Sequence, residues 1–162
     1  MEKIKVTVVI TPRDRYSGVI ECIENLYNLT TEPFLLKVVD LDYPKEIKRQ
    51  LIVLLADKEN AELLEMGLII PMEAMRNVRD TITTPYVMFL DNDSNVTEGW
   101  LAPLLEVAES DSKIAIVNPL TLEKAGVDIG APLRSHLFTN EITYLEIDGT
   151  DYLIEEKHFR RA

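Results

Sequence analysis

The sequence predicts an α/β fold, with a mainly parallel sheet flanked by helices and a β-hairpin near the C-terminus. Short apolar runs rich in β-branched residues alternate with amphipathic segments of helical length as far as Val117, which is typical of a layered domain built on parallel strands. Farther along, Asp148-Gly149 lies between two segments that alternate apolar and polar residues, and Asp-Gly in that setting is a strong hairpin signal.

The first four predicted elements are a strand, a helix, a second strand and a second helix. Residues 6–10 are an apolar, β-branched run that a Thr-Pro pair ends, as expected of a buried strand. Residues 17–29 and 44–57 both repeat apolar side chains at helical spacing, which predicts amphipathic helices. Between these helices, residues 34–39 are again apolar and are followed by acidic residues, so they predict a strand that ends in a carboxylate.

The next three elements continue the alternation. Residues 66–70 are a short apolar run closed by a proline, and we expect them to form the third strand. Residues 72–82 predict a helix. Residues 86–91 begin directly after Pro85, are apolar and aromatic, and end in an acid, which predicts a buried fourth strand.

The last elements are a helix, a strand and the hairpin. Thr97 is the expected N-cap of a helix over 98–109, because a threonine hydroxyl can accept a hydrogen bond from the first turn. Residues 114–117 are apolar and β-branched, and they predict a fifth strand of the sheet. Residues 141–147 and 150–154 are the alternating segments that predict the two hairpin strands.

Size and composition limit the classes of function. The chain has 162 residues, of which 46% are hydrophobic and 28% are charged, so we expect one domain over residues 1–162 with a substantial core. The net charge of −11 would repel nucleic-acid phosphates, so we expect no nucleic-acid partner. No apolar run approaches the roughly 18 residues of a transmembrane helix, and the single cysteine excludes an internal disulfide. We therefore expect a cytoplasmic protein without a transmembrane segment.

Asp91-Asn92-Asp93, at the end of the predicted fourth strand, is the most informative motif of the chain. In open α/β sheets, ligands bind at the edge formed by the C-terminal ends of the strands. Two carboxylates one residue apart suit a hard divalent cation, and such a cation suits a diphosphate. The motif therefore predicts a metal-assisted site for a nucleotide that carries a phosphate leaving group.

Five short motifs follow one another along the predicted strands, turns and helices. They are Thr11-Pro12-Arg13-Asp14-Arg15, Val38-Val39-Asp40, Ala74-Met75-Arg76-Asn77-Val78-Arg79, Phe89-Leu90-Asp91-Asn92-Asp93 and Gly99-Trp100-Leu101. In these motifs and in their order, the region from about residue 6 to 119 resembles the nucleotide-binding part of family 2 glycosyltransferases, which has the GT-A fold. The family continues with a stretch that forms the acceptor pocket and supplies the catalytic base. We find no counterpart of that stretch, so we expect this chain to lack it.

The resemblance implies a role for several residues. Asp93 would be the main ligand of Mn²⁺ or Mg²⁺, and Asp91 would contact the metal or the sugar. Asp40 would accept hydrogen bonds from the base or the ribose, with Asp42 as the alternative position. Arg13 stands where the family usually has a tyrosine, and no residue is assigned as the catalytic base. The nucleotide-sugar-binding residues implied by the resemblance are Thr11, Pro12, Arg13, Asp40, Arg76, Asn77, Asp91 and Asn92.

The activity implied by the resemblance is the metal-dependent, inverting transfer of a sugar from a nucleotide-diphospho-sugar to an unknown acceptor. A UDP-sugar is the commonest donor in that family and is the expected one. The alternative is a GT-A-like domain, or a truncated fragment, that binds a nucleotide or a partner without catalysis. A nucleotidyltransferase would need a Gly-rich loop around the triphosphate, and residues 11–18 contain a single glycine, which disfavours that class.

Overall fold

The computed structural model describes residues 3–12 and 16–119, together with the backbone of 122–124, 139–147 and 150–158. The chain divides into two compact units, Met1–Glu106 and Val107–Ala162. A single domain over the whole chain stays a prediction. Among the described residues, no helix has both the length and the apolar character that crossing a membrane requires.

The first unit is built on a four-stranded parallel sheet, which confirms the predicted α/β class. The strands are β1 (Val6–Thr11), β2 (Phe34–Asp40), β3 (Ala61–Glu65) and β4 (Tyr86–Asp91). Their spatial order is β3-β2-β1-β4. A 3₁₀ turn (Tyr16–Gly18) precedes the first helix. The α-helices of the described residues are α1 (Val19–Leu29), α2 (Lys45–Leu55), α3 (Pro71–Arg79) and α4 (Leu101–Ser110).

The parallel arrangement brings the C-terminal ends of all four strands to one edge, which we call the carboxyl edge. Thr11 at the end of β1 pairs with Asp91 at the end of β4. In the other half of the same sheet, Asp40 at the end of β2 pairs with Glu65 at the end of β3. Because α1, α2 and α3 each connect the end of one strand to the start of the next, they lead from this edge to the opposite one, and the loops that follow the strands gather here.

Helices cover both faces of the sheet, as parallel strands require. On one face, buried side chains of α1, α2 and the first residue of α4 pack against alternate residues of β1 and β2. On the other face, Ala74 and Val78 of α3 pack against Val9 and Val39. The two central strands are therefore buried from both sides, which explains why their sequences are nearly continuous apolar runs.

The third strand lies earlier in the chain than the sequence pattern predicts. The prediction placed it at 66–70, whereas β3 spans Ala61–Glu65 and residues 66–70 form a loop. Pairing with β2 begins soon after the end of α2, at the hydrogen bond that the Leu36 N–H donates to the Asn60 carbonyl at 2.8 Å. The Met66 N–H still donates to the Asp40 carbonyl at 3.0 Å, but the apolar run beyond β3 forms no strand, and Leu68 within it is 85% exposed. The prediction at 66–70 is therefore wrong.

The fourth helix begins later than predicted. The prediction placed it at 98–109 with Thr97 as its N-cap, but α4 starts at Leu101. Gly99 has a φ of 68°, a left-handed conformation that a right-handed helix cannot contain. Residues 98–100 therefore form a turn ahead of the helix, and Thr97 does not cap it.

The fifth strand predicted at 114–117 is wrong. Residues 114–117, which the structure describes, are not a strand. The Ile114 N–H instead donates to the Asp111 carbonyl at 3.0 Å in a local turn. Ile116 is 78% exposed. A strand forms only where a neighbouring strand satisfies its backbone groups, and an apolar pattern alone does not supply that neighbour.

The second unit contains the antiparallel strands β5 (Leu122–Lys124), β6 (Thr139–Ile147) and β7 (Thr150–His158). Their spatial order is β5-β7-β6. The strands β6 and β7 pair along their whole length, in agreement with the predicted C-terminal hairpin. The predicted turn residues Asp148-Gly149 lie outside the described residues.

Candidate functional site at the carboxyl edge of the sheet

The loop that follows β4 forms the centre of the candidate site, and we call residues Asp91–Ser94 the acidic turn. The Asn92 N–H donates to the Thr11 carbonyl at 3.2 Å, and the Ser94 N–H donates to the Asp91 carbonyl at 3.1 Å. Asn92 is fully buried, whereas Asp91 is half-buried and Asp93 is exposed. The buried Asn92 thus anchors a turn in which the Asp93 carboxylate is in solvent and Asp91 is half-buried.

Cys22 of α1 lies against the acidic turn, with its Sγ 3.7 Å from the Asp91 carbonyl oxygen. Burial, followed by the negative charge of Asp93, raises the pKa of Cys22 to about 12. The thiol is therefore neutral near pH 7, and only a thiolate would serve as a nucleophile or a metal ligand. The side chain contributes packing to the site, not chemistry.

Asp40 is part of the framework of this edge. It is 2% exposed, and one carboxylate oxygen accepts the Tyr43 N–H at 2.7 Å. The other oxygen lies 2.9 Å from the Lys48 Nζ, which also contacts Glu65 at 2.6 Å. Hydrogen bonds to Glu65 and Asp40 raise the pKa of Lys48. Both oxygens of Asp40 therefore already have partners, and this carboxylate holds the turn between β2 and α2.

Asp42 presents a different carboxylate at the same strand end. It is exposed and has a φ of 72°, which makes it the sole non-glycine residue with a positive φ in the described chain. Aspartate tolerates this left-handed conformation better than most residues do. Within the described residues the Asp42 side chain makes no hydrogen bond or ion pair, so it is available to a ligand in a way that Asp40 is not.

Two tyrosines that the sequence motifs did not single out lie at this edge. Tyr43 is buried, and its hydroxyl lies close enough to the Asn92 side chain for the two to interact. Burial and the charge of Asp40 raise the pKa of Tyr43. Tyr16 packs edge-on against Tyr43, with ring centroids 5.3 Å apart, and is itself 38% exposed. The only sequence signal for them was their position, since each follows the end of a strand by a few residues.

The remaining predicted residues are less central. Thr11 and Pro12 are buried at the end of β1, and Arg13 lies outside the described residues. Arg76 and Asn77 are exposed on α3, which packs on the sheet face opposite α1. The structure brings neither into hydrogen-bonding contact with the acidic turn or any other described residue.

The carboxylates of the acidic turn fit one kind of metal site. Within the described part of the chain, no group of three or more His, Cys, Asp or Glu side chains is arranged to hold a metal ion. A closed protein cage of the kind that binds Ca²⁺ or structural Zn²⁺ is thus not formed by these residues. Mg²⁺-type ions at phosphate sites need only one or two carboxylates, since substrate phosphates and water complete the shell. Asp91 and Asp93 fit that arrangement.

Comparison with known protein families and with curated proteins finds no match for this chain. The fold and the side chains at the carboxyl edge are therefore the physical basis for a functional hypothesis.

Proposed function

We propose that this chain binds a nucleotide-diphospho-sugar through a divalent cation and is the donor-binding module of an inverting glycosyltransferase. The observation that carries the proposal is the acidic turn, which lies beside the end of β1 and is anchored there by the Asn92–Thr11 hydrogen bond. It presents Asp93 at the edge where open α/β sheets bind their ligands. The order of the motifs along the chain supports the same function.

Different residues at the carboxyl edge contact different parts of the proposed donor. Asp91 and Asp93 would hold Mn²⁺ or Mg²⁺, and the ion would supply charge neutralisation for a diphosphate leaving group. Tyr16 offers an exposed aromatic ring on which a base can stack. Asp42, which is exposed, offers a carboxylate for ribose hydroxyls. Burial of Asp40 favours Asp42 for that contact.

The proposed reaction replaces one bond at the anomeric carbon of the sugar. The acceptor oxygen bonds to that carbon while the bond to the diphosphate oxygen breaks, so the configuration inverts. A base takes the proton of the acceptor hydroxyl, and we assign no residue of this chain to that role. We propose a UDP-sugar as the donor and leave the acceptor unnamed.

We propose a cytoplasmic location. Its support is the sole cysteine, which is buried as a neutral thiol and suits a reducing compartment.

The donor-site proposal is tested by calorimetric titration of UDP, GDP and dTDP with and without Mn²⁺. We expect one nucleotide to bind in a metal-dependent way and Asp93→Ala to lose most of that affinity, because the exposed carboxylate is the main protein ligand. Asp57→Ala is the matched control, since Asp57 is exposed after the C-terminal end of α2, at the edge opposite the acidic turn. The control should bind like the wild type. A folded wild type that binds none of the nucleotides would reject the proposal.

The second candidate function is a binding module without turnover. The observation that favours it is Asp40, which in this chain is committed to Tyr43 and Lys48 and so does not face a ligand. Incubation with UDP-sugars and measurement of released UDP separates the two candidates. Metal-dependent nucleotide binding without any UDP release would favour the binding module, and release that disappears in Asp93→Ala would favour the transferase.

A further inference from the structure

One stripe of α1 and the turn before it contacts the acidic turn and the residues just after it. We infer that Gly18 and Asn25 are positioning residues that hold Asp93 in its metal-binding place. The inference rests on the proposed function and adds residues that none of the sequence motifs contains. Gly18, Cys22 and Asn25 recur at helical spacing, so they lie on one side of the helix.

Gly18 sets how closely the start of α1 approaches the acidic turn. A Cβ at this position would lie 3.1 Å from the Asp93 Cα and Cβ, and 3.2 Å from the Asn92 carbonyl oxygen. These distances are shorter than nearly all real Cβ contacts, so the backbone that carries Asp93 would have to shift by a few tenths of an ångström to admit a side chain here. Gly18 has φ −76° and ψ −16°, a conformation that alanine adopts without strain. The glycine is thus needed for the close approach and not for its backbone angles.

Asn25 fixes the other end of the loop. Its Oδ1 accepts the Val96 N–H at 2.7 Å, in a partly buried contact between residues 71 positions apart. The entry to the turn is fixed by Asn92 and the Thr11 carbonyl, so Asp93 lies between two anchors. A weaker contact joins Glu21 to Asn95 at 3.4 Å. Removal of the Asn25 acceptor would free the exit of the turn while leaving Asp93 itself unchanged.

Loss of a positioning contact should weaken metal binding without abolishing it. Residues that orient metal ligands typically change metal affinity by about 10–100-fold when they are replaced. We expect Gly18→Ala and Asn25→Leu each to weaken Mn²⁺-dependent UDP binding by about tenfold or more. Asn25→Asp keeps an acceptor oxygen for the Val96 N–H, and we expect it to retain most of the affinity.

The experiment measures UDP affinity by calorimetry in the presence of Mn²⁺, together with thermal unfolding of each variant. Ser17→Ala is the control for Gly18→Ala because Ser17 is exposed in the same 3₁₀ turn. Asn28→Leu is the control for Asn25→Leu because Asn28 is exposed on the same helix. Both controls should bind like the wild type. The thermal unfolding of Gly18→Ala shows whether the variant is folded, and a loss of affinity in the folded variant is the result that we expect.

The outcomes separate this inference from the function on which it rests. Weak binding in Gly18→Ala and Asn25→Leu, with recovery in Asn25→Asp, supports the positioning role. Wild-type affinity in folded Gly18→Ala and Asn25→Leu, with loss in Asp93→Ala, overturns the positioning role and leaves the donor site intact. A folded wild type that shows no Mn²⁺-dependent UDP binding overturns the proposed UDP site, and the positioning role falls with it.

Discussion

At the residue scale, neighbours decide what each carboxylate of the carboxyl edge can do. Asp40 and Asp93 both follow apolar strands, but Asp40 is enclosed by Tyr43 and Lys48 whereas Asp93 is exposed. A buried carboxylate must be paired, because its desolvation cost is otherwise too large. Asp40 therefore serves the framework, and the exposed acid remains available for a cation.

Cys22 provides a prediction about pH at this scale. Its pKa rises from 9.0 to about 12 on folding, mainly through burial. Because the folded pKa is the higher one, the contribution of the thiol to stability is fully present below pH 9 and is lost as pH rises toward the folded pKa. We expect Cys22→Ala to make the decline in the free energy of unfolding shallower by up to about 1.4 kcal/mol per pH unit in that range.

Urea unfolding of the wild type and Cys22→Ala at matched alkaline pH values measures this difference. Burial also raises the pKa of Tyr43, so both proteins lose stability in alkali for a second reason. Burial and the charge of Asp40, which are the larger causes of the raised Tyr43 pKa, are the same in both proteins, so the comparison removes most of that contribution. Identical slopes would mean that the thiol titrates in the folded protein as it does in the unfolded one.

At the element scale, the position of a strand depends on the strands that pair with it and on the helices that cover it. The helix α1 packs on the sheet through its apolar face. At its C-terminal end, the Thr30 hydroxyl oxygen accepts a hydrogen bond from the indole N–H of Trp100 at 3.0 Å. The β3 strand contains two glutamates and lies one segment before the more apolar run at 66–70. Lys37 of β2 pairs with Glu62 of β3 at 2.5 Å, which accounts for the charge within this edge strand.

The position of β3 can be tested by two leucine truncations. Leu63 packs partly against the core, so we expect Leu63→Ala to lower the free energy of unfolding by about 1–2 kcal/mol. Leu68 is 85% exposed, and Leu68→Ala should stay within about 0.5 kcal/mol of the wild type. Denaturant unfolding measures both. A larger loss in Leu68→Ala than in Leu63→Ala would return the third strand to residues 66–70.

At the scale of the whole molecule, the strand order determines which candidate site residues are neighbours. The first unit has β1 and β2 at the centre of the sheet and β3 and β4 at its edges. This order sets Thr11 next to Asp91 in the β1–β4 ladder, although they are far apart in sequence. The candidate site is thus a consequence of the parallel topology, because only that topology brings these strand ends together.

Hydrogen exchange should reveal the same organisation. We expect the slowest amide exchange in β1 and β2, which pair on both sides and are buried, and fast exchange in residues 112–119, which form no strand. Deuteration of the intact chain, followed by quenching, proteolysis and mass spectrometry of the peptides, measures both regions. Protection of residues 114–117 comparable with that of β1 would instead support the fifth strand that the sequence pattern predicts.

The site was predictable where chemistry and position coincide in the sequence. Asp91, Asn92 and Asp93 are an acidic motif at a strand end, and the parallel sheet places them at the carboxyl edge as expected. Contacts between residues that are distant along the chain have no comparable motif in the sequence. Gly18 and Asn25 belong to no recognisable motif, and their partners are about 70 residues away.

The sequence by itself determined the fold class and the strands β1, β2 and β4, because long apolar β-branched runs between amphipathic segments admit few other arrangements. It also placed the acidic motif at the end of β4. Only the tertiary structure decided that Asp40 is buried against Lys48, that the third strand precedes the more apolar run, and that residues 114–117 are not a strand. The physical reason is that burial and pairing depend on partners distant in sequence, which a local pattern does not specify.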